Sequence, residues 1–453
     1  MSVRRVLSRY YQAQAQKLHH FIIAPGSAVL HVGCQEGDVL AALKPFFGVG
    51  IDANGEAIAM AQKNHPDCFF YHGDVRSLTK ACQFDYILIS LPALRDADIQ
   101  ELLQYLHPYC HARTRVLLDC YSHLWEPLLW LGQKLGLRTA TGFKHWISRA
   151  DLENFLYLSG FEVVTQGQAV LMPVYIPLVS WMCNAVLAQL PLLRRLCLQQ
   201  WLVARPMPRC VGRGQATVSV IVPCKNEKGN IQAIVERTPA MGSGTELIFV
   251  EGGSCDGTRQ EIERVVQEYP EKKIRLLVQD GKGKGDAVRK GFAQASGAVL
   301  MILDADMTVA PEELPRFFDL LVSGKAEFVN GSRLVYAMES GAMRFLNLTA
   351  NFFFSVLFSW LLGQRVKDTL CGTKVLWAED YKKIASNRVF FGTLDPFGDF
   401  DLLFGAAKLQ LKIVDLPIHY KSRVYGQTQI RRFYHGLILL KMSMRGVRKF
   451  KMR

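Results

Sequence analysis

Two carboxylates stand one residue apart at the end of a continuous apolar run. The run reads VLMILDAD, from Val299 to Asp306, and its carboxylates are Asp304 and Asp306. Such a run is typical of a fully buried parallel strand, and ligands of parallel sheets bind just beyond the carboxyl ends of the strands. Carboxylates there can hold Mg²⁺ or Mn²⁺ that is shared with phosphates of a substrate. Because Asp is also common in solvated turns, the spacing alone leaves both interpretations open.

Three other apolar runs in the second half of the chain end in turns. The first reads VSVIVPCKNE from Val218 to Glu227, and the second reads TELIFVEGGSCDGT from Thr245 to Thr258. The third, IRLLVQDGKGKG from Ile274, leads into a helix through a flexible basic loop that suits a diphosphate. Since the carboxyl ends of parallel strands meet at one edge of a sheet, we expect the residues at these ends to converge. These residues are Pro223, Asn226, Glu227, Glu251, Asp256, Lys284, Gly285, Asp304 and Asp306.

This order of motifs resembles the family 2 glycosyltransferases of GT-A fold, and specifically the branch that includes dolichol-phosphate mannose synthase. The resemblance covers about residues 217–430 and implies a nucleotide-diphospho-sugar transferase α/β domain. It implies that Asp304 and Asp306 carry the metal, and that Glu251 stands where the family usually has aspartate. The residues implied to hold the nucleoside are Pro223, Asn226, Glu227, Glu251 and Asp256, and those implied to lie in the diphosphate loop are Lys284 and Gly285.

Later motifs extend the resemblance. NGSR ends in Arg333, and GDFDLLFG resembles the segment with the family's catalytic acid, which aligns best with Asp401 and second best with Asp399. RVYGQTQI, from Arg423, resembles the loop that closes over the diphosphate, with Thr428 where serine is more usual. Both arginines are implied to contact the nucleotide sugar. The loop DTLCGTK corresponds to the acceptor-side loop, with Asp368, Cys371, Gly372 and Lys374 as its candidate residues.

The chemistry available to these residues is the transfer of a sugar from a nucleoside diphosphate. A divalent ion neutralises the charge that grows on the leaving diphosphate, and Lys284 and Arg423 can add positive charge. An acceptor hydroxyl needs a general base, for which Asp399 or Asp401 is available, whereas an acceptor phosphate is already anionic. Both acids also suit a helix N-terminus without any catalytic role. Direct displacement would invert the anomeric centre, which is the outcome that the resemblance implies.

An earlier strand, loop and helix open a separate α/β unit. AVLHVGCQEGDVLAAL begins at Ala28 and places Gly33 and Gly37 between a strand and a helix, where glycines allow a ligand to approach the backbone. The following strands end in Asp52 and Asp74. An acid at such a strand tip can bind ribose hydroxyls.

This pattern resembles a class I S-adenosylmethionine-dependent methyltransferase, with a Rossmann-like fold, over about residues 18–164. The chain departs from the family at His31, where an acid is usual, and at Gln35, where glycine is usual. A dinucleotide site is the other functional interpretation, although the loop lacks GxGxxG spacing. A methyltransferase fold kept only as a scaffold also stays open, and no residue stands out as a base for methyl transfer. The residues implied to bind the cofactor are Gly33, Gly37 and Asp52, at the methionine and ribose, and Asp74, near the adenine.

Composition limits the class of protein. The 453 residues suffice for two or three domains, and a content of 49% hydrophobic and 21% charged residues indicates a globular chain. The formal charge of +14 suits a nucleic acid, an anionic membrane or a phosphorylated substrate. A non-enzymatic nucleic-acid-binding protein is the alternative from another class, but no basic and aromatic motif supports it. The eleven cysteines lack metal-ligand spacing and the chain starts without an apolar signal core, which predicts a reducing cytosolic setting.

Three segments indicate contact with a membrane. Residues 169–208 are apolar and interrupted by prolines, so we expect short helices that are buried or lie on a membrane, with Arg194, Arg195 and Arg205 at headgroup level. Residues 345–364 carry no charge and predict a buried, interfacial or spanning helix. Basic residues near the end attract anionic lipid or form a solvated tail. They are Arg431, Arg432, Lys441, Arg445, Arg448, Lys449, Lys451 and Arg453.

These patterns together predict two α/β domains and one activity for each. The boundaries are a methyltransferase-like domain at 1–168, an apolar helical connector at 169–215, a glycosyltransferase domain at 216–430 and a basic tail at 431–453. The predicted function is inverting transfer of a hexosyl unit from a nucleoside diphosphate sugar to a polyprenyl phosphate or membrane-linked glycan, fused to S-adenosylmethionine-dependent methyl transfer. In the alternative, the first domain is an inactive scaffold. The predicted location is the cytoplasm, peripherally at the inner face of an anionic membrane, with no nucleic acid bound.

Overall fold

The computed structural model describes residues 3–78, 82–94, 98–134, 147–207, 215–336, 345–388, 398–421, 423, 425 and 432–451. The chain divides into two compact units, Met1–Met207 and Pro208–Phe450. Each unit contains a seven-stranded sheet among its described residues. The prediction of two α/β domains is confirmed.

The first unit surrounds its sheet with helices. Its strands are β1 (Ala28–Val32), β2 (Phe47–Asp52), β3 (Phe69–His72), β4 (Phe84–Ser90), β5 (Cys110–Tyr121), β6 (Phe161–Ala169) and β7 (Gln199–Pro206). Its helices are α1 (Val3–Ile22), α2 (Asp38–Ala42), α3 (Gly55–Asn64), α4 (Ile99–Tyr105), α5 (Glu126–Lys134), α6 (Arg149–Leu158), α7 (Val179–Trp181) and α8 (Pro191–Arg194).

The strand order of the first sheet is β3-β2-β1-β4-β5-β7-β6. β7 is antiparallel to both of its neighbours, and the other pairs among β1 to β5 are parallel. In β1, Val29 packs into the core on one face and Leu30 and Val32 into the core on the other. Burial on both faces explains why this strand reads as a continuous apolar run. The carboxyl ends of β1, β2, β4 and β5 therefore share one edge, which we call the first carboxyl edge.

The prediction of a helical connector over residues 169–215 is wrong for residues 199–206. Residues 199–206 form β7, which pairs with β5 on one side and with β6 on the other. All three of Leu202, Val203 and Ala204 are fully buried, because both faces of this strand are covered. The run therefore does not alternate, and its sequence is like that of any buried apolar segment. Arg205 is also buried, with its guanidinium 2.8 Å from Glu162 Oε2, so it does not lie at headgroup level.

The second unit has the same general construction. Its strands are β8 (Thr217–Cys224), β9 (Gly244–Glu251), β10 (Lys273–Val278), β11 (Val299–Ile302), β12 (Phe328–Ser332), β13 (Lys374–Trp377) and β14 (Ile413–Pro417). Its helices are α9 (Lys228–Arg237), α10 (Thr258–Glu268), α11 (Lys284–Gln294), α12 (Leu314–Val322), α13 (Phe345–Leu362), α14 (Ala378–Ser386), α15 (Asp399–Lys408) and α16 (Arg432–Phe450).

The strand order of the second sheet is β10-β9-β8-β11-β13-β12-β14. The four strands predicted from the apolar runs, β10, β9, β8 and β11, are parallel neighbours. β13 is antiparallel to β11 and β12, which makes the sheet mixed. The ends of β8, β9 and β11 consequently lie together at what we call the second carboxyl edge.

Two helices of the second unit combine buried and exposed apolar residues. Phe358 of α13 is fully buried and stacks on Phe404, whereas Phe352 of the same helix is largely exposed. Gly446 of α16 packs closely against Leu361 of α13, so residues 432–450 form a packed helix and not the predicted tail. Within the described part of the chain, no helix has the length and apolar character needed to cross a membrane.

Candidate functional site

Asp304 and Asp306 follow β11 at the second carboxyl edge. The Oδ1 atom of Asp304 lies 2.5 Å from Nζ of Lys284. The Oδ2 atom of Asp306 accepts a hydrogen bond of 2.6 Å from Nη2 of Arg423, and its Oδ1 atom accepts from the hydroxyl of Thr308 at 2.8 Å. Each carboxylate of the predicted metal-binding pair therefore faces a cationic side chain.

Arg423 also contacts Glu227, which follows β8. Its Nη1 atom donates to Oε1 of Glu227 at 3.1 Å, while Oε2 of Glu227 accepts from the amide of Asn230 at 2.8 Å. Burial raises the pKa of Glu227 to about 7, although Arg423 opposes the rise and Asp306 adds to it. One guanidinium thus joins the ends of β8 and β11.

The turn after β9 is held to the turn after β8. Oε1 of Glu251 accepts from the backbone N–H of Ser254 at 2.5 Å, and Oδ1 of Asn226 accepts from that of Cys255 at 2.8 Å. Oδ2 of Asp256 accepts from the hydroxyl of Tyr425 at 3.3 Å. Burial alone would raise the pKa of Glu251 and Asp256, but hydrogen bonds to both carboxylates hold it below the usual value. Pro223, in β8, lies directly opposite β9 in register, so all five predicted nucleoside residues lie at this edge.

The basic loop begins α11 beside the carboxylates. Burial alone would lower the pKa of Lys284, but the charges of Asp304 and Asp399 hold it above its usual value. Gly285 approaches Gly398 so closely that a Cβ atom on Gly398 would lie 2.9 Å from its Cα. The start of α15 is therefore packed against the predicted diphosphate loop.

The predicted acceptor-side loop precedes β13. Asp368 and Arg333 form a buried two-pronged pair, with Nε to Oδ2 at 2.7 Å and Nη2 to Oδ1 at 2.8 Å. The fully buried ammonium of Lys374 donates to the carbonyl oxygen of Cys371 at 2.6 Å and lies 3.7 Å from Asp399 Oδ1. The buried ion pair of Asp368 and the buried ammonium of Lys374 therefore hold the acceptor-side loop in place.

Asp399 and Asp401 face different surroundings. Asp399 lies near Lys374 and directly follows Gly398, which packs against Gly285 of the diphosphate loop. Asp401 has its Oδ2 atom 3.7 Å from Arg289 and 3.5 Å from Arg388 and lines a small cavity with the latter. Asp399 follows Gly398, which contacts the diphosphate loop, whereas Asp401 contacts Arg289 and Arg388; which of the two acids acts on the acceptor stays a prediction.

Gly372 offers a direct test of this packing. A Cβ atom at this position would lie 2.0 Å from Oδ2 of Asp304 and 2.1 Å from Nζ of Lys284. Gly372→Ala is therefore expected to force the two charged groups apart and to weaken Mn²⁺-dependent nucleotide binding by about tenfold, roughly the effect of one charge-assisted contact. Titration calorimetry with UDP or GDP and Mn²⁺ measures the change. Gly244→Ala, in the same unit and with no neighbour within 4 Å, is the control, and equal affinities in both variants would contradict the expectation.

The carboxylate pair fits a divalent cation in its chemistry. No group of three or more His, Cys, Asp or Glu side chains is arranged for a metal among the residues that the structure describes. Two carboxylates are nevertheless what Mg²⁺ commonly takes from a protein when phosphates and water complete its shell. Lys284 contacts Oδ1 of Asp304 and Arg423 contacts Oδ2 of Asp306, so a bound ion would share or replace these contacts. The donor set is compatible with the predicted Mg²⁺ or Mn²⁺.

The predicted cofactor loop of the first unit lies at the first carboxyl edge. Gly33 and Gly37 have φ values of 78° and 81°, the left-handed region that favours glycine. Oδ2 of Asp52 accepts from the backbone N–H of Gln35 at 2.9 Å, and Oδ1 accepts from that of Asn54 at 2.8 Å. Since an ionised carboxylate can accept about four hydrogen bonds, these two orient Asp52 and leave capacity for ribose hydroxyls. The nucleoside end therefore fits S-adenosylmethionine.

Asp74 and His31 fit S-adenosylmethionine less directly than Asp52 does. Asp74 is half exposed, and its hydrogen bond with Arg76 holds its pKa below the usual value. His31 is buried, with Nε2 2.9 Å from Oγ of Ser90, and burial, aided by His19, lowers its pKa to about 3. A neutral imidazole cannot supply the negative charge that an acid provides at this position. The methionine end thus differs from the family pattern.

A buried polar cluster that the sequence did not reveal lies at the same edge. Nε2 of His19, on α1, lies 3.0 Å from Oδ2 of Asp119, on β5, and Gln199, on β7, donates to the same oxygen at 2.9 Å. Ser90 is the register partner of Asp119. Nδ1 of His19 and Oδ1 of Asp119 are buried without a hydrogen-bond partner in the described part of the chain. His19 is therefore a candidate for the base that sequence analysis lacked.

Some predicted residues lie outside the described part of the chain. These are Thr428, Arg431 and Arg453, together with most of the loop that follows Arg423.

Family models match part of each unit. Residues 219–386 match the model described as "Glycosyl transferase family 2", and residues 29–111 match the model described as "Methyltransferase domain". Each match agrees with the domain that the sequence motifs predicted for that part of the chain.

Curated relatives match part of the chain. Dolichol-phosphate mannosyltransferase of Saccharomyces cerevisiae is 39% identical over 110 residues, which cover 23% of this chain and 40% of the relative. The enzyme of the same name from Pyrococcus furiosus is 34% identical over 26% of this chain and 33% of the relative. Undecaprenyl-phosphate 4-deoxy-4-formamido-L-arabinose transferase of Pectobacterium carotovorum is 33% identical over 24% of this chain and 34% of the relative. The match thus spans two fifths or less of each of these relatives.

Proposed function

We propose that the second unit is an inverting, metal-dependent glycosyltransferase that moves a hexosyl unit from a nucleoside diphosphate sugar to a polyprenyl phosphate. The observation that carries this proposal is the pair Asp304 and Asp306, each against a cation, at the carboxyl edge of a domain that matches family 2. The names of the curated relatives, which refer to dolichol phosphate and undecaprenyl phosphate, support the acceptor class.

Different residues at the second carboxyl edge would bind different parts of the donor. Asp304 and Asp306 would hold Mg²⁺ or Mn²⁺, which when bound neutralises charge on the departing diphosphate. Lys284 and Arg423 add positive charge at the same place. The turns after β8 and β9 hold the nucleoside with Pro223, Asn226, Glu227, Glu251 and Asp256.

The acceptor determines whether a base is needed. The phosphate of a polyprenyl phosphate is anionic at neutral pH and can attack the anomeric carbon directly, with inversion. A hydroxyl of a membrane-linked glycan would have to lose a proton, and Asp399, which follows Gly398 beside the diphosphate loop, would accept it. Arg333 and Asp368 would fix the acceptor-side loop in both cases.

We further propose that the first unit is an S-adenosylmethionine-dependent methyltransferase. Gly33, Gly37 and Asp52 would hold the methionine and ribose, and Asp74 would lie near the adenine. The alternative, an inactive scaffold, is favoured by one observation, the neutral His31 where the family usually has an acid.

The second unit would meet an anionic membrane through α13 and α16, at the cytoplasmic face. Phe352 and Phe353 on α13 and Leu437 on α16 are exposed, and α16 carries Lys441 and Arg445 without any acid. Exposed apolar residues beside basic ones suit the interface of an anionic bilayer.

Thermal unfolding with added ligands tests both enzymes in one sample. UDP or GDP with Mn²⁺ is expected to stabilise the full-length protein, and S-adenosylmethionine alone is expected to do so separately. A ligand at one hundred times its Kd adds about 2.7 kcal/mol to the stability of the unit that binds it. Nucleotide with EDTA, and Mn²⁺ alone, are the controls. A folded sample that nucleotide does not stabilise in a metal-dependent way would contradict the glycosyltransferase proposal. If only S-adenosylmethionine fails to stabilise the protein, the inactive scaffold is favoured.

A further inference from the structure

The connection between β6 and β7 exposes many large apolar side chains. Leu178 is 83% exposed, and several neighbours along the chain and on α5 are more than half exposed. We call the most exposed of them the apolar surface, which consists of Tyr175, Leu178, Trp181, Leu192, Leu128 and Trp130. Trp125, just before α5, donates to the carbonyl oxygen of Leu196 at 2.7 Å, so α5 begins beside the connection. Large apolar side chains that are exposed together mark a contact with a partner or a membrane.

Sheet topology fixes where the apolar surface lies. β6 ends at Ala169 and β7 begins at Gln199, and these two residues are register partners. β5 ends at Tyr121, which is also opposite Gln199. The connection therefore lies at the first carboxyl edge, where Gly33 and Asp52 are also found.

The backbone beneath the apolar surface is held by hydrogen bonds. Oγ of the buried Ser180 accepts from the N–H of Ile176 at 2.6 Å and donates to the carbonyl oxygen of Val174 at 2.7 Å. The side chain of Asn184 bonds both backbone groups of Met172 at 2.9 Å. Ser180 and Asn184 thus fasten the backbone of the segment from within, while the side chains of the apolar surface are exposed.

The charge around the apolar surface indicates what it contacts. Residues 163–226 contain no acid, and neither do residues 1–35. Arg195 is exposed within the segment, and Nζ of Lys134 lies 3.8 Å from the ring centre of Trp130 on α5. Glu126, at the start of α5, is the exposed acid of that helix. Aromatic and aliphatic side chains with an excess of basic ones match the interface of an anionic bilayer, whereas a neutral apolar partner would need no such excess.

We propose that the apolar surface inserts into the interface of an anionic lipid bilayer, with the first carboxyl edge toward the lipid. This contact rests on the proposed function, which assigns membrane contact only to α13 and α16, and extends it to the first unit. A methyl acceptor that reaches the first carboxyl edge would then be lipid-borne, while S-adenosylmethionine would enter from water.

Cosedimentation of the full-length protein with vesicles tests the contact. The vesicles are phosphatidylcholine with phosphatidylglycerol, and phosphatidylcholine alone. The double variant Leu178→Ser/Trp181→Ser is expected to bind the anionic vesicles about tenfold more weakly than the unchanged protein, since two exposed apolar side chains no longer enter the interface. Phe46→Ser is the matched control, because Phe46 is 87% exposed but lies at the amino end of β2, on the opposite edge. Circular dichroism checks that all variants fold.

Three other results would contradict the proposed contact between the apolar surface and the bilayer. Undiminished binding by the double variant, with loss of binding in Leu437→Ser/Leu440→Ser on α16, leaves the proposed function intact and removes only the first unit from the membrane. A wild-type protein that binds neither vesicle overturns both contacts. A dimer that the double variant converts to a monomer, with vesicle binding unchanged, assigns the apolar surface to a second copy of the chain.

Discussion

Asp306→Asn is expected to lower glycosyl transfer by about 10²- to 10³-fold and to remove the dependence of nucleotide binding on Mn²⁺. The substitution keeps the size of the side chain and its ability to accept from Thr308, but it removes the negative charge. A neutral amide is a poor ligand for Mn²⁺ and a weaker partner for Arg423, which contacts Asp306 at 2.6 Å. The change therefore acts on charge at the diphosphate and leaves the shape of the site nearly unaltered.

Two measurements check the Asp306→Asn variant. Thermal unfolding with UDP or GDP, with and without Mn²⁺, reports the metal-dependent stabilisation independently of turnover. Transfer to a short polyprenyl phosphate from the matching nucleotide sugar reports the chemistry.

The matched control is Asp280→Asn. Asp280 lies before the same basic loop, is mostly exposed and contacts Lys290 at 2.5 Å. Its loss is expected to change neither measurement by more than about twofold, because an exposed ion pair contributes little. Unchanged metal dependence in Asp306→Asn would show that the carboxylate pair does not hold the metal.

The residues at the second carboxyl edge were predictable because each follows its own apolar run. Asp304 follows β11, Glu227 follows β8 and Glu251 ends β9, and parallel pairing brings these ends together. Local sequence thus specified both the strands and the residues at their tips. No long-range information beyond parallel pairing was needed for this part of the site.

Partners that come from distant parts of the chain were not predictable in this way. Arg423 joins Glu227 and Asp306 across 196 and 117 residues, and only the path of the chain brings it there. Asp399 and Asp401 are two residues apart at the start of a helix, so they point about 200° apart around its axis. The motif match ranked Asp401 before Asp399, but it carries no information on which of them faces the diphosphate loop.

Two features of the first unit, the strand β7 and the contact of His19 with Asp119, could not be predicted from the sequence. Residues 199–206 lie inside the first sheet as β7, so their pattern does not alternate and resembles a buried helix. His19 contacts Asp119 across 100 residues, and histidine in an amphipathic helix gives no sign of such a partner. The polar cluster of the first unit thus depends on how α1 packs on the sheet, which sequence periodicity does not fix.

Asp368→Ala is expected to destabilise the second unit by about 3–5 kcal/mol, the usual cost of breaking a buried ion pair from one side. Asp368 is fully buried, and removal of its carboxylate leaves the guanidinium of Arg333 without its two acceptors. It also removes the acceptor for the backbone N–H of Leu370, at 3.1 Å. Burial alone would raise the pKa of Asp368, but Arg333 holds it below the usual value, so the pair remains ionised at neutral pH.

Denaturant-dependent hydrogen exchange with mass spectrometry measures the effect of Asp368→Ala, because peptides from β8 and β11 report the second unit and peptides from β1 and β4 report the first. The control, Glu312→Ala, breaks an equally two-pronged pair with Arg237 that is exposed, at 2.7 and 3.0 Å, and should cost only about 0–1 kcal/mol. A carboxylate with a lowered native pKa stabilises the fold above its unfolded pKa of about 3.9 and loses that contribution as the pH falls through the native pKa. The difference between wild type and Asp368→Ala should therefore be full at pH 7 and shrink below about pH 4. A cost at pH 7 no larger than that of Glu312→Ala would mean that Arg333 reaches solvent once its partner is gone.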